Sequence, residues 1–138
     1  MKMTGFTIGE VAKRAGVNID TLRYYERRRL VEKPPRSSAN YRRYPEDTVQ
    51  RVRFIKRAQE LGFSLEEIRE LLSLRAAPKT RCADVRQRAE EKIQDIEEKV
   101  RVLRRMKKAL GKLVSECRSD GPVTECPILE ALDTEKAA

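Results

Sequence analysis

The feature that most restricts the fold of this 138-residue chain is an apolar repeat in its second half. From Cys82 onward, Ala89, Ile93, Ile96, Val100 and Leu103 recur at spacings of 4, 3, 4 and 3, which is the seam of a coiled coil. Met106, Leu110, Leu113 and Cys117 extend the seam after a small shift of phase. Charges of both signs fill the other faces. Pairs one turn apart, such as Glu97 with Arg101, read as a solvated surface with slight helix support. Gly111 is the only breaker between residues 82 and 117, and the apolar phase runs past it. A lone helix with so narrow a seam buries little. The economical partner is the same helix of a second copy, so the repeat predicts a homodimer.

Composition agrees with a helical chain. Hydrophobic residues are 39% and charged residues 38%, with no tryptophan, a balance that argues against a sandwich or a barrel. No stretch approaches the roughly 20 apolar residues that cross a bilayer. Met1 to Phe6 lacks the apolar core of a secretory signal, so the cytoplasm is the expected compartment. The net charge of +9 is uneven. Residues 1–76 hold 17 Lys and Arg against 10 Asp and Glu, and residues 77–138 hold 14 against 12. A basic N-terminal half is the footprint of a polyanionic partner, because cations that replace condensed counterions drive binding to nucleic acid.

Local signals divide that half into short helices. Thr7 and Glu10 have capping-box spacing; Ile8, Val11, Ala12 and Ala15 share one face; and Gly16 suits a left-handed helix end. Asn18 or Asp20 then starts a second helix through Thr21, Leu22, Arg23, Tyr24, Tyr25 and Glu26. Helix, glycine-containing turn and helix are the units of a helix-turn-helix. Lys33-Pro34-Pro35-Arg36-Ser37-Ser38-Ala39-Asn40 is too rich in turn formers for a helix. It predicts an extended loop or small hairpin leading into Tyr41-Arg42-Arg43-Tyr44, a wing able to meet phosphates. A third helix is expected from about Glu46 to Leu61, with Val49, Val52, Phe54, Ile55 and Ala58 available to a core. Gly62 ends it. Ser64 and Glu67 form a second capping box for a helix carrying Ile68, Leu71 and Leu72, and Ala76-Ala77-Pro78 marks a linker. The expected organisation is a winged helix-turn-helix domain over 1–76. Residues 77–138 supply a linker, a dimerisation helix over about 82–117, and a short C-terminal segment.

Cys82, Cys117 and Cys126 are the only cysteines, and the chain has no histidine. An odd number of cysteines in a reducing compartment does not read as a disulfide framework. On one helix Cys82 and Cys117 stand about 52 Å apart at ~1.5 Å per residue. Thiolates on one metal lie within about 5 Å of one another, given metal–sulfur bonds near 2.3 Å. One chain therefore cannot unite these two, whereas an antiparallel pair of helices can. The Gly121-Pro122 turn lets Cys126 return toward Cys117, and Pro127 suits the first turn of a short final helix. The arrangement predicts Cys82 of one subunit with Cys117 and Cys126 of the other, twice per dimer. Three thiolates without histidine favour a soft ion, and a trigonal sulfur site fits mercury better than zinc. On residues alone a second reading stands, with Cys117 a small hydrophobe on the seam and the others incidental.

The order of motifs resembles the MerR family of transcription regulators. The resemblance is carried by Thr7-Ile8-Gly9-Glu10-Val11-Ala12, Gly16-Val17, Thr21-Leu22-Arg23-Tyr24-Tyr25-Glu26 and Leu30-Val31. It continues through Tyr41-Arg42-Arg43-Tyr44, Leu61-Gly62-Phe63-Ser64-Leu65-Glu66-Glu67-Ile68, the long helix and the Cys126-Pro127 tail. Within the family it is most similar to the branch that senses Hg(II), whose three cysteine ligands are placed like Cys82, Cys117 and Cys126. Relatives that sense lead, cadmium or zinc have a shorter step between the last two ligands or an additional cysteine or histidine. The run Arg27-Arg28-Arg29 departs from the family pattern and leaves the operator sequence open.

The resemblance implies a mainly α protein: a winged helix-turn-helix, an antiparallel coiled-coil dimerisation helix and a short metal-binding loop and helix. It implies a dimer that binds a dyad operator in double-stranded promoter DNA alongside RNA polymerase. Such a dimer represses without metal and activates by distorting the DNA when metal binds. It implies Arg23, Tyr24, Tyr25, Arg42 and Arg43 at the DNA interface, with Tyr24 alternatively packed inward. Asn18, Asp20 and Thr21 stand at the start of the recognition helix, where base edges are usually reached. Two other classes compete: a thiol-based enzyme and a constitutive architectural DNA binder. No Cys-x-x-Cys, no histidine base and no phosphate-cradling glycine loop supports the first, and metal dependence of transcription would separate the second.

Overall fold

A computed structural model describes residues 5–36 and 42–134. The expected wing tip, Ser37 to Tyr41, and the last residues, 135–138, lie outside the described residues. The helices are α1 (Ile8–Ala15), α2 (Ile19–Arg27), α3 (Asp47–Glu60), α4 (Leu65–Ala76), α5 (Cys82–Glu116) and α6 (Pro127–Asp133), with a 3₁₀ turn over Val123–Glu125. The chain divides into two compact units, Met1–Lys92 and Ile93–Ala138.

In the first unit the helix starts follow their capping residues. Thr7 Oγ1 accepts from the Glu10 amide while the Glu10 carboxylate accepts from the Thr7 amide. Ser64 and Glu67 repeat this reciprocal pair at α4, and Asn18 Oδ1 accepts from the Thr21 amide at 2.7 Å to start α2. Each such cap satisfies amides that the helix itself cannot. Three helices end in the same way, with the amide of one residue bonded to a carbonyl five back: Val17 to Ala12, Leu30 to Tyr25 and Phe63 to Ala58. The residue preceding each of these amides is left-handed, with φ of 73° at Gly16, 60° at Arg29 and 97° at Gly62. Glycine takes that conformation without strain; arginine does not.

The core lies among α1, α2, α3 and α4, where Val11, Leu22, Val52, Ile55 and Ile68 are fully buried. Of the α3 residues expected there, Val49, Val52, Ile55 and Ala58 are buried. Phe54 is half-buried, with the Arg75 guanidinium 5.7 Å from its ring centroid. Cations of α3 also close exposed carbonyls: Arg53 donates to Arg14 O at 2.7 Å and Lys56 to Gly16 O at 2.7 Å. The wing returns to this core through antiparallel bridges of Phe6 with Tyr44 and Arg36 with Arg42. They are the only bridges among the described residues, so the expected hairpin is represented by single pairings rather than by strands.

Helix α5 is continuous through Gly111 for 35 residues. The side chains on its seam, Ile93, Ile96, Val100, Leu103, Met106 and Leu110, are all exposed in the single chain. Arg101 pairs with Glu98, its Nε 3.0 Å from Oε2, and not with Glu97 as expected; three residues along a helix bring side chains as close as four do. In the second unit a turn at Gly121 (amide to Arg118 O, 2.9 Å) leads to α6, with Pro127 in its first turn. No helix among the described residues is long and apolar enough to cross a membrane.

Candidate DNA interface and thiol residues

Asn18, Asp20, Arg23 and Tyr24 are exposed on the first turns of α2, and Thr21 is half-buried. Tyr24 is 41% exposed, and the Arg27 guanidinium lies 5.8 Å from its ring centroid. Tyr25 takes the opposite course. It is 2% exposed, and its hydroxyl donates to Gln59 Oε1 of α3 at 2.6 Å. Its expected place at a DNA surface is thereby corrected to a packing role, and Tyr24, the tyrosine considered for the core, faces outward. Successive residues on a helix are turned by about 100°, so only one of the pair reaches the core.

A groove of about 630 Å³ runs beside these residues, lined by Thr7, Ile8, Arg23, Glu26, Arg27, Lys33, Arg36, Arg42 and Tyr44. Five cations and a single carboxylate face it, so its field attracts anions. Arg42 lines it, with its Nε buried and without a hydrogen-bond partner among the described residues. Arg43 is held nearer α1, 4.0 Å from the Glu10 carboxylate. Glu26 is engaged by the buried Tyr44 hydroxyl at 2.8 Å; burial and this hydrogen bond push the Tyr44 phenol well above its ordinary pKa. The Glu10 carboxyl lies below the ordinary carboxylate range because the Thr7 amide and hydroxyl bond to it.

The sequence singles out Arg23 and Arg42 but not Lys33 or Arg36 as members of this set, and marks Arg27 only as part of an irregular cationic run. The legible signal was the turn-rich segment from Lys33 to Arg36. What was missing was the fold-back that sets it against α2.

Cys82 opens α5 and is exposed, Cys117 follows its last residue and is exposed, and Cys126 caps α6 and is half-buried. Asp84 Oδ2 accepts from the Arg81 amide at 3.0 Å and fixes the start of the helix that carries Cys82. Among the described residues of one chain, no three His, Cys, Asp or Glu side chains are grouped to hold a metal ion. The 35 residues of α5 at ~1.5 Å each span about 50 Å, so the helix itself separates Cys82 from Cys117.

Residues 6–74 match the sequence profile of the MerR HTH family regulatory proteins, and residues 49–113 match that of MerR, DNA binding. The chain belongs to the MerR family. It is 44% identical over 134 residues to the mercuric resistance operon regulatory protein of Serratia marcescens, covering 97% of this chain and 92% of that one. Two solved structures of transcription regulators share its fold. PbrR691 from Ralstonia metallidurans CH34, in complex with lead(II), matches with a TM-score of 0.81 and 35% identity, over 92% of this chain and 98% of that one. The dual function transcriptional regulator MerR from Bacillus megaterium MB1, in complex with mercury(II), matches with a TM-score of 0.72 and 40% identity, over 94% of this chain and all of that one.

Proposed function

We propose that this MerR-family chain is a cytoplasmic, mercury(II)-responsive transcription regulator and not an enzyme. It works as a homodimer joined through antiparallel α5 helices. Residues 1–76 read a dyad operator in double-stranded DNA, and residues 77–138 dimerise and bind metal. Without metal the dimer represses. With Hg(II) held by Cys82 of one subunit and by Cys117 and Cys126 of the other, it distorts the promoter so that RNA polymerase can use it.

One observation carries the reading: α5 is a single 35-residue helix with an exposed apolar seam and a cysteine at or beside each end. Pairing two such helices head to tail covers the seam and brings Cys82 beside the partner's distal cysteines. Three thiolates without a histidine suit trigonal Hg(II), whereas zinc normally takes a fourth ligand. At the other end Arg23, Arg27, Arg36 and Arg42 hold phosphates, and this fixes the register of α2 on the duplex. Asn18, Asp20, Thr21 and Tyr24 then lie against base edges, and Arg43 borders the wing contact.

Mixing provides the test. Cys82→Ser and Cys117→Ser homodimers fail to respond to metal, and the mixed population regains one competent site per heterodimer. No recovery, with subunit exchange demonstrated, refutes the shared site. Resemblance to the lead(II)-bound PbrR691 supports a second reading, a regulator of another soft ion such as lead or cadmium. Promoter activation titrated with Hg(II), Pb(II), Cd(II) and Zn(II) decides between them.

A further inference from the structure

The first unit does not end where the compact helix-turn-helix elements do; it continues through the first three turns of α5 to Lys92. Residues 81 to 91 are all exposed, so no apolar interface explains this attachment. Lys92 is different. Its side chain is 9% exposed, and its ammonium lies 2.8 Å from Glu67 Oε1 and 5.8 Å from the centroid of the Phe63 ring. The same Glu67 oxygen accepts from the Ser64 amide at 2.8 Å, so one carboxylate caps α4 and grips α5 together. One turn away, Arg88 Nη1 meets Glu70 Oε2 at 3.1 Å. The two rungs run in opposite sequence order, 67 and 70 against 92 and 88.

A buried ammonium is strongly unfavourable unless it is paired. Its carboxylate partner responds in kind: the Lys92 hydrogen bond, with those from Ser64, holds the Glu67 carboxyl below its ordinary range. The second rung is weaker, because Arg88 and Glu70 are about half exposed (44% and 53%) and water competes with the pair.

We infer that Lys92 and Glu67 are positioning residues that fasten the first turns of α5 to α4, so that the state of Cys82 is passed to the DNA-reading helices. The inference rests on the proposed metal-responsive function. A helix joined to α4 by an ion pair rather than by a packed core moves with α4 while the pair holds and separately from it once the pair is broken. Cys82 begins the same rigid helix ten residues before Lys92, so a thiolate drawn toward a metal displaces the segment that the pair holds.

The experiment uses the full-length dimer on an operator duplex with a fluorescent base analogue at its centre. Lys92→Met keeps the apolar stem against Phe63 and removes the charge. Glu67→Gln keeps the capping box, since glutamine serves there as well. In both variants, amide exchange over residues 83–92 accelerates at least about fivefold, while metal stoichiometry and metal-free operator affinity stay at wild-type values. The metal-induced changes in base-analogue signal and promoter output fall by about fivefold, within the range by which residues between two sites alter their coupling. Lys92→Arg keeps a cation beside Glu67 and leaves the Ser64–Glu67 cap intact, and it holds all of these readouts near wild type.

Unchanged exchange in Lys92→Met overturns the fastening. Accelerated exchange with a wild-type metal response overturns the coupling role. Lys92→Arg as defective as Lys92→Met overturns the pairing. Wild-type protein that responds to none of Hg(II), Pb(II) or Cd(II) overturns the functional reading instead, and the exchange readout still judges the fastening because it requires no metal.

Discussion

The two adjacent tyrosines of α2 give a prediction that separates folding from DNA contact. Tyr25→Phe removes one hydroxyl, whose hydrogen bond to Gln59 is 2.6 Å long, and leaves the buried ring in place. A neutral hydrogen bond is worth about 0.5–1.5 kcal/mol net. Gln59 is exposed and water replaces the lost donor, so the cost is about 1 kcal/mol, or a fall in melting temperature of roughly 3–5 °C. The substitution uncovers no surface, so operator affinity stays within about twofold of wild type, well inside the tenfold change that 1.4 kcal/mol produces. Tyr24→Ala does the reverse: stability is nearly unchanged because the side chain is 41% exposed, and operator binding weakens. Urea unfolding at fixed subunit concentration, with fluorescence anisotropy on an operator duplex, measures both quantities. Tyr25→Phe protein that unfolds like wild type yet binds DNA tenfold more weakly would refute the assignment, because it would place that hydroxyl on the nucleic acid.

Three further outcomes follow from the backbone and the caps. Arg29→Gly raises stability by about 0.5–1 kcal/mol in thermal unfolding, because arginine occupies a left-handed position, at φ 60°, that glycine fills at the ends of α1 and α3. Gly111→Ala, inside α5 where an added Cβ meets nothing within 4 Å, raises it by about 0.5–1 kcal/mol per subunit; a loss would mean that the partner helix closes on this point. The capping carboxylates Glu10 and Glu67 have folded pKa values below 4.5. Their stabilisation is therefore present above about pH 4.5 and is lost as pH falls through those lowered values. Urea midpoints measured from pH 7 downward show this acid limb, and Glu10→Gln with Glu67→Gln flattens it.

These cases show what kind of information the sequence carries. Elements set by neighbours in the chain were legible: the two capping boxes, the glycine-ended helices and the continuous α5 depend on residues three to five apart. Features set by distant pairs were not. Tyr24 and Tyr25 are chemically alike, and the one that turns inward joins a core drawn from other helices, its hydroxyl meeting Gln59, 34 residues away. Lys92 read as one more charge on a solvated face, because nothing local announces that Glu67 and Phe63 will enclose it. The cationic groove likewise gathers Arg23 and Arg27 from α2 with Lys33, Arg36 and Arg42 from the wing.

The metal-binding reading lies between these limits. Its negative half, that one α5 cannot unite Cys82 with Cys117, follows from helical rise alone and needs no tertiary information. Its positive half, that a second copy supplies the missing thiolates, requires two helices to choose the antiparallel orientation. The charge along α5 supports that choice. From Lys99 to Lys112 the helix carries seven cations and no carboxylate, while Asp84 to Glu98 carries six carboxylates against three cations. Parallel pairing sets the cationic halves side by side, and antiparallel pairing sets each against the acidic half of its partner, which is favoured wherever flanking charges approach across the seam. The orientation that neutralises these charges is the one that the proposed site requires, with Cys82 beside Cys117 of the other subunit, so the proposed pairing and the proposed metal binding call for the same arrangement of the helix.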